Sequence, residues 1–267
     1  IPAVNSYPYL EDFETNNAGW LPGGTATSWA YGTPAKTSII GAASGTKAYV
    51  TGGLGTTPYN NNEQSYVLGP CFDFTTLQNP WVSMKIWWFS EFSWDGTNLQ
   101  SSTDFGVTWQ NVGAYGDPGN WYNLNGIISQ PGGSGDGWCG GAFGNTSGSN
   151  GYVTAAHRLD GLAGTGSLRF RMTFGSDGSV TSDGIAFDDF RIAEGPICNL
   201  GPDQLLCGGD TIVLDAGPFA SFLWTPGGQT TRYKTITQNN TGLQIVKITD
   251  SNGFYDFDSV LVSLSNP

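Results

Sequence analysis

The clearest strand signal lies in Val82-Ser83-Met84-Lys85-Ile86-Trp87-Trp88-Phe89-Ser90-Glu91-Phe92, a run rich in β-branched and aromatic residues. Successive side chains of a strand face opposite sides, so either Trp87 or Trp88 must point away from the core. Runs of the same kind recur between turn-forming residues, at residues 47–51, 65–68, 168–174 and 185–192. No segment has sustained helical periodicity. The sequence therefore predicts an all-β fold.

The composition is typical of an exported β-protein. Of 267 residues only 12% are charged and 40 are glycine, so Ser, Thr, Asn and Gly supply much of the solvated surface. The formal net charge of −12, with no basic cluster along the sequence, argues against nucleic acid and other polyanions as partners. No run of roughly 18 apolar residues occurs, so we expect no membrane insertion.

A domain boundary is predicted at Ala193-Glu194-Gly195-Pro196, because Pro196 cannot donate to a continuing strand ladder. Residues 1–195 then form the first domain and residues 196–267 the second. Short strand signals with turns between them, as in a small sandwich, mark the second domain at residues 211–215, 222–224, 232–236, 244–249 and 259–264.

The first domain opens with Asp12-Phe13-Glu14 and Gly19-Trp20 and closes with Ile185-Ala186-Phe187-Asp188-Asp189-Phe190. This bracketing resembles MAM-type jelly rolls and the jelly rolls of carbohydrate-binding modules. Pro70-Cys71-Phe72-Asp73-Phe74 is similar to the variant found in large secreted proteins of Bacteroidetes. The resemblance implies a MAM-like jelly-roll β-sandwich whose first and last strands lie near one another.

The second domain resembles the Ig-like and PKD-like modules of gliding-associated surface proteins in the same phylum. Asn199-Leu200-Gly201-Pro202-Asp203 and Thr249-Asp250-Ser251-Asn252-Gly253 carry the resemblance. It implies a small Ig-like/PKD-like β-sandwich in a protein of cell adhesion or gliding motility. It also implies export by type IX secretion to the medium or the outer cell surface.

The four cysteines divide two and two between the domains, which favours disulfides within each domain over a zinc site. We therefore expect Cys71 to pair with Cys139. The related modules often have a cysteine where this chain has Phe254, so the resemblance implies that Cys207 pairs with Cys198 instead.

Two acidic stretches, residues 11–14 and Asp188-Asp189, are brought together if the first and last strands pair. Calcium prefers oxygen ligands of this kind. The resemblance implies a structural calcium ion held by Glu14, Asp189 and carbonyl oxygens at Thr46 and Lys47, with Asp188 and Asp12 as substitutes. Strand alternation would put Asp188 and Asp189 on opposite faces, so only one of them should bind the ion directly. The alternative is that these carboxylates accept backbone hydrogen bonds or face water.

Residues 102–109 match the Asp-box pattern Ser-x-Asp-x-Gly-x-Thr-Trp, which predicts a β-hairpin with Trp109 packed beneath it. Sialidases carry several such boxes, whereas here the box occurs once. Carboxylate pairs such as Glu91 with Asp95 have the residue types of the general acid and base in glycoside hydrolysis. Nothing in the sequence distinguishes them from carboxylates that accept hydrogen bonds in loops. We therefore expect no enzymatic activity.

Ten tryptophans invite a carbohydrate-binding hypothesis, because sugar rings stack on aromatic planes. The candidates for ligand contact lie in polar loops or on an outward strand face: Trp88, Trp94, Trp121, Tyr122 and Trp138. Trp20, Trp109 and Trp224 belong to the family-like motifs and are predicted to be buried scaffold.

These observations predict a non-catalytic extracellular binding and spacer region of a larger adhesin-like protein that recognises a glycan or a surface protein. The alternative is an accessory region of a secreted hydrolase, a peptidase or glycosidase, whose catalytic domain lies outside this chain. Thr211 and Ser259 follow aspartates in the pattern that Bacteroidetes use for O-glycosylation, so they are candidate modification sites.

Overall fold

The computed structural model describes residues 3–142 and 148–265, and the chain divides after Glu194 into two compact units. The first unit, up to Glu194, has fourteen strands and one short 3₁₀ turn at Pro131–Gly133. In chain order the strands are β1 (Tyr9–Glu11), β2 (Leu21–Thr25), β3 (Ala30–Gly32), β4 (Ala48–Val50), β5 (Gln64–Phe72), β6 (Pro80–Glu91), β7 (Gly96–Ser102), β8 (Gln110–Asn111), β9 (Leu124–Asn125), β10 (Asp136–Cys139), β11 (Gly141–Ala142), β12 (Val153–Arg158), β13 (Leu168–Gly175) and β14 (Gly184–Glu194).

These strands form two seven-stranded sheets. The first sheet has the order β11-β6-β14-β4-β3, with β12 on β6 and β1 on β14. The second has the order β2-β5-β13-β7-β10-β9, with β8 on β7. The first strand therefore pairs directly with the last strand of the unit, with Leu10 opposite Arg191.

The core of the first unit follows from the alternation of apolar residues along the strands. On β13 the buried apolar side chains are Leu168, Phe170, Met172 and Phe174, whereas Arg169 and Arg171 between them face outward. Phe187 on β14 belongs to the same cluster of buried residues. The prediction of an all-β sandwich is confirmed, and among the described residues no helix is long and apolar enough to cross a membrane.

The second unit follows the same principle on a smaller scale. Its strands are β15 (Gln204–Leu206), β16 (Ile212–Asp215), β17 (Ser221–Thr225), β18 (Tyr233–Ile236), β19 (Gly242–Thr249) and β20 (Tyr255–Leu264). One sheet has the order β15-β20-β19-β17, and β16 pairs with β18 in a two-stranded sheet. Trp224, Val246 and Val260 are buried in the core of this unit.

The predicted disulfides are wrong, since all four cysteines are free in the structure. Cys71 lies opposite Arg169, which lies opposite Ser102 at one end of β7. Cys139 lies opposite Gly96 at the other end of β7, so strand register holds the first two thiols apart.

In the second unit Cys198 N donates to Asp256 near the start of β20. Cys207 follows β15, whose last residue Leu206 is opposite Leu264 at the end of β20. The length of that strand separates these two thiols, so spacing along the sequence was a poor guide to both pairs.

Candidate functional site

The Glu14 carboxylate is bound by the loop that precedes β4. Its Oε1 accepts hydrogen bonds from Thr46 N at 2.8 Å and Lys47 N at 2.6 Å, and its Oε2 accepts one from Thr46 Oγ1 at 3.0 Å. The two backbone N–H groups are the main reason that the pKa of Glu14 lies below its ordinary value. Gly45 has a positive φ, and a Cβ at this position would clash with the Glu14 carboxyl group in its hydrogen-bonded position.

Asp188 and Asp189 bind the same loop from the last strand. The buried Asp188 accepts at Oδ2 from Ala43 N at 2.9 Å and Ser44 N at 3.1 Å, and Asp189 Oδ1 accepts from Ser44 Oγ at 2.7 Å. Asp189 has φ of 49°, and the register of β14 against β6 shifts between Asp188 and Arg191, as in a β-bulge. The expectation that alternation separates the two carboxylates is therefore wrong, because the bulge turns both toward one loop.

This arrangement does not fit a calcium ion as it stands. Thr46 and Lys47, predicted to offer carbonyl oxygens, direct N–H groups at Glu14, and Lys47 Nζ donates to the Glu14 carbonyl oxygen at 2.7 Å. Asp12 is exposed and accepts from Glu14 N at 3.1 Å. Calcium takes about six to eight oxygen ligands, so Glu14 would first have to release its amide donors. Calcium binding by Glu14 and Asp189 stays a prediction.

Four of the five aromatic residues predicted to contact a ligand are buried, so their assignment is wrong. They are Trp88, Trp121, Tyr122 and Trp138. Trp138 lies on β10, which pairs with β7, and its ring lies 4.9 Å from that of Trp121 and 4.7 Å from that of Tyr122. All four belong to the main core cluster of the first unit, where large aromatic side chains fill volume. Trp94 is 40% exposed and stays available.

The 102–109 hairpin has the hydrogen bonds that its sequence pattern predicts. Asp104 accepts from Thr108 N at 2.9 Å, Thr108 Oγ1 at 2.6 Å and Ser102 Oγ at 2.8 Å, and these donors lower its pKa to about 2. Trp109, however, is only half-buried, which differs from the predicted scaffold role. Its Nε1 donates to Gly106 O at 3.0 Å, and its ring lies against Arg171 on the outward side of the second sheet.

We call this outward surface the arginine face, which consists of Tyr66, Gln100, Trp109, Asn111, Arg169 and Arg171. The Arg171 guanidinium carbon lies 4.2 Å from the ring centre of Trp109 and 5.3 Å from that of Tyr66. Arg171 lies opposite Leu68 on β5 and Gln100 on β7. A cation and two aromatic rings therefore form one platform across three neighbouring segments.

The amide side chains of the arginine face are fixed by hydrogen bonds. Gln100 Oε1 accepts from Arg171 Nε at 2.9 Å and from Arg171 Nη2 at 2.7 Å. Gln100 Nε2 donates to Asn111 Oδ1 at 3.1 Å and Gly132 O at 3.0 Å, and Asn111 Nδ2 donates to Ser134 Oγ at 2.7 Å. This chain of donors sets the position of the guanidinium before any ligand binds.

Sequence reasoning missed Tyr66, Gln100 and Arg171 as candidate site residues. A signal was present, because Arg169 and Arg171 alternate with buried apolar residues in the 168–174 run and must share a face. Which residues of β5 and β7 lie beside them depends on strand order and register, and these are tertiary information.

A second polar cluster joins Glu91, Asp95 and Asp177. One carboxylate oxygen from each lies within 4.8 Å of the others, close enough to bind one metal ion. Asp95 is buried and accepts from Tyr59 Oη at 2.8 Å and Asp177 N at 2.8 Å, whereas the buried Glu91 Oε2 has no hydrogen-bond partner. Burial raises the pKa of Asp95 to about 7, and the neighbouring carboxylates act in the same direction.

The two candidate O-glycosylation sites lie in the second unit. Thr211 and Ser259 are both exposed, so a modifying enzyme can reach either hydroxyl. Modification of these residues stays a prediction.

No protein-family model and no curated protein matches the chain. Solved structures do match. The K1 adhesin domain of Lys-gingipain from Porphyromonas gingivalis W83 is 10% identical with a TM-score of 0.41, over 72% of this chain and 100% of that one. The carbohydrate-binding module TmCBM61, in complex with β-1,4-galactotriose, is 14% identical with a TM-score of 0.40, over 71% and 99%. The β-1,2-glucanase from Parabacteroides distasonis is 10% identical with a TM-score of 0.34, over 99% and 39%.

Proposed function

We propose that this chain is a non-catalytic, extracellular binding and spacer region of an adhesin-like protein, and that its first unit binds saccharides on the arginine face. The observation that carries the proposal is the Tyr66–Arg171–Trp109 platform on an outward sheet surface. The second unit then serves as the spacer.

Saccharide recognition requires apolar planes for the sugar ring and fixed polar groups for its hydroxyls. The arginine face supplies both, because Tyr66 and Trp109 are half-buried and the half-buried Arg171 is held in place by the buried Gln100. Side chains that are ordered before binding lose little conformational entropy when the ligand arrives.

The test is a glycan array probed with the whole chain and with two variants. We expect Trp109→Ala to abolish most binding because it removes one wall of the platform. Trp94→Ala is the matched control, since Trp94 is an exposed tryptophan outside the arginine face. Loss of binding in the control alone would move the site to the 91–95 turn, and an array without any bound glycan would refute the proposal.

The alternative, an accessory region of a secreted hydrolase, would use the same face but have a catalytic neighbour. The full-length sequence discriminates the two. A peptidase or glycosidase motif outside this chain favours the accessory region, whereas tandem repeats of these two units favour an adhesin.

A further inference from the structure

We infer that the arginine face selects acidic saccharides, and that Arg171 binds a carboxylate or sulfate group of the sugar. This inference rests on the proposed function and names the chemical class of its ligand.

Within the described part of the chain, the arginines of this face have no acidic partner. The chain contains 22 acidic and 10 basic residues, so a carboxylate is available to most cations. Arg232 lies 2.6 Å from Asp215, and Arg158 lies 2.6 Å from Asp160. Arg171, in contrast, has no carboxylate within 4.0 Å in residues 3–142 and 148–265.

The Arg171 guanidinium is held at one edge only. Its Nε and Nη2 atoms use one edge of the planar group to bind Gln100 Oε1. The adjacent end edge, formed by Nη1 and the second Nη2 hydrogen, matches the spacing of the two oxygens of a carboxylate or sulfate. The flanking rings of Tyr66 and Trp109 keep the guanidinium plane from turning away.

Burial is the main reason that the pKa of Arg171 lies below its ordinary value, so this cation is partly desolvated. A partly desolvated cation gains more from an anion than a fully solvated one does. The structure thus holds a cation away from water and leaves one side of it without a counter-charge.

Arg169 extends the positive strip along β13. Its Nε donates to Cys71 Sγ at 3.3 Å. Among the described residues no carboxylate lies within 4.0 Å of it either. Arg169 and Arg171 are two positions apart on one strand, a rise of about 7 Å. Asp104, the acid of the adjoining hairpin, is occupied by Ser102 and Thr108.

The net charge of −12 argues against polyanions as partners of the chain as a whole. It does not decide which groups bind at the arginine face. At physiological ionic strength the screening length is about 8 Å, so distant carboxylates are largely screened. Contacts between Arg171 and a single anionic group are short and partly buried, and therefore much less screened.

The experiment compares acidic polysaccharides with the same polymers after their acid groups are removed. The probes are polygalacturonate and hyaluronan, each native and carboxyl-reduced, and κ-carrageenan, a galactan whose acid groups are sulfates alone, native and desulfated, beside an array of neutral glycans. We expect the native acidic polymers to bind and the reduced or desulfated ones to bind roughly tenfold or more weakly. Comparing the carboxylate polymers with the sulfate polymer shows which of the two anionic groups Arg171 binds.

Three variants complete the test. Arg171→Ala should bind acidic and reduced polymers equally weakly, and Arg171→Lys should recover only part of the preference because it lacks the planar fork. Arg232→Ala, which removes an equal charge from the second unit, should bind as the unchanged protein does. Neutral glycans bound as tightly as acidic ones would overturn the acidic class but keep the saccharide function. A chain that binds neither kind would refute the saccharide function itself.

Discussion

Replacing Asp95 with Asn should make the first unit more stable at neutral pH and less dependent on pH. The carboxyl of Asp95 is buried near those of Glu91 and Asp177, and its pKa is raised from 3.8 to about 7. A raised carboxyl pKa contributes stability that is complete below the unfolded value and is lost as pH rises through the folded value. The native first unit should therefore lose stability between about pH 4 and pH 8.

The size of this effect follows from the shift. Because each unit of pKa corresponds to about 1.36 kcal/mol, raising the Asp95 pKa from 3.8 to about 7 can cost at most about 4 kcal/mol of folding free energy. We expect roughly half of this cost after screening and relaxation. Asn has the same shape and still accepts one of the two hydrogen bonds that come from Tyr59 Oη and Asp177 N. The variant minus wild-type free energy of unfolding should thus rise by about 2 kcal/mol across this range.

Urea unfolding in EDTA, followed by tryptophan fluorescence, measures this difference. Of ten tryptophans only Trp224 lies in the second unit, so the signal reports the first. Asp104→Asn is the control, because the pKa of Asp104 is shifted in the opposite direction to that of Asp95. The pKa of Asp104 is lowered to about 2, so its contribution is constant above about pH 4 and falls only in acid. Parallel curves for wild type and Asp95→Asn would refute the assignment of the shift to this cluster.

Three further predictions concern the metal, the core and the thiols. If calcium binds through Glu14 and Asp189, a calcium concentration a hundred times its Kd should stabilise the fold by about 2.7 kcal/mol, and EDTA or Glu14→Gln should remove the resulting shift in melting temperature. An unchanged melting curve with no bound ion in elemental analysis would show that Glu14 binds only the backbone N–H groups. Trp138→Ala should cost about 3–5 kcal/mol in thermal unfolding, whereas Trp94→Ala, at a partly exposed position, should cost clearly less; equal effects would contradict the burial of Trp138. A thiol reagent should modify exposed Cys207 in the native protein and all four cysteines after denaturation, and a peptide map with a disulfide would contradict the register argument.

The candidate site was predicted in part. The acidic residues of the opening and closing motifs do meet at one loop, because β1 and β14 pair as the resemblance implied. Trp121, Tyr122 and Trp138 were misassigned, because an aromatic residue in a polar stretch has the same sequence signal whether that stretch is open or packed on the core. Trp138 is such a case, since β10 carries it onto the edge of β7.

The sequence by itself determined the all-β class, the outward direction of Arg169 and Arg171, and the internal hydrogen bonds of the 102–109 hairpin. Each depends on strand alternation or on contacts within a few residues, and both are local. Tertiary structure alone decided that Tyr66 and Trp109 flank Arg171, that Asp95 meets Glu91 and Asp177, and that the cysteines stay apart. These outcomes depend on strand order, register and a β-bulge, which arise when distant segments pair and which spacing along a chain does not encode.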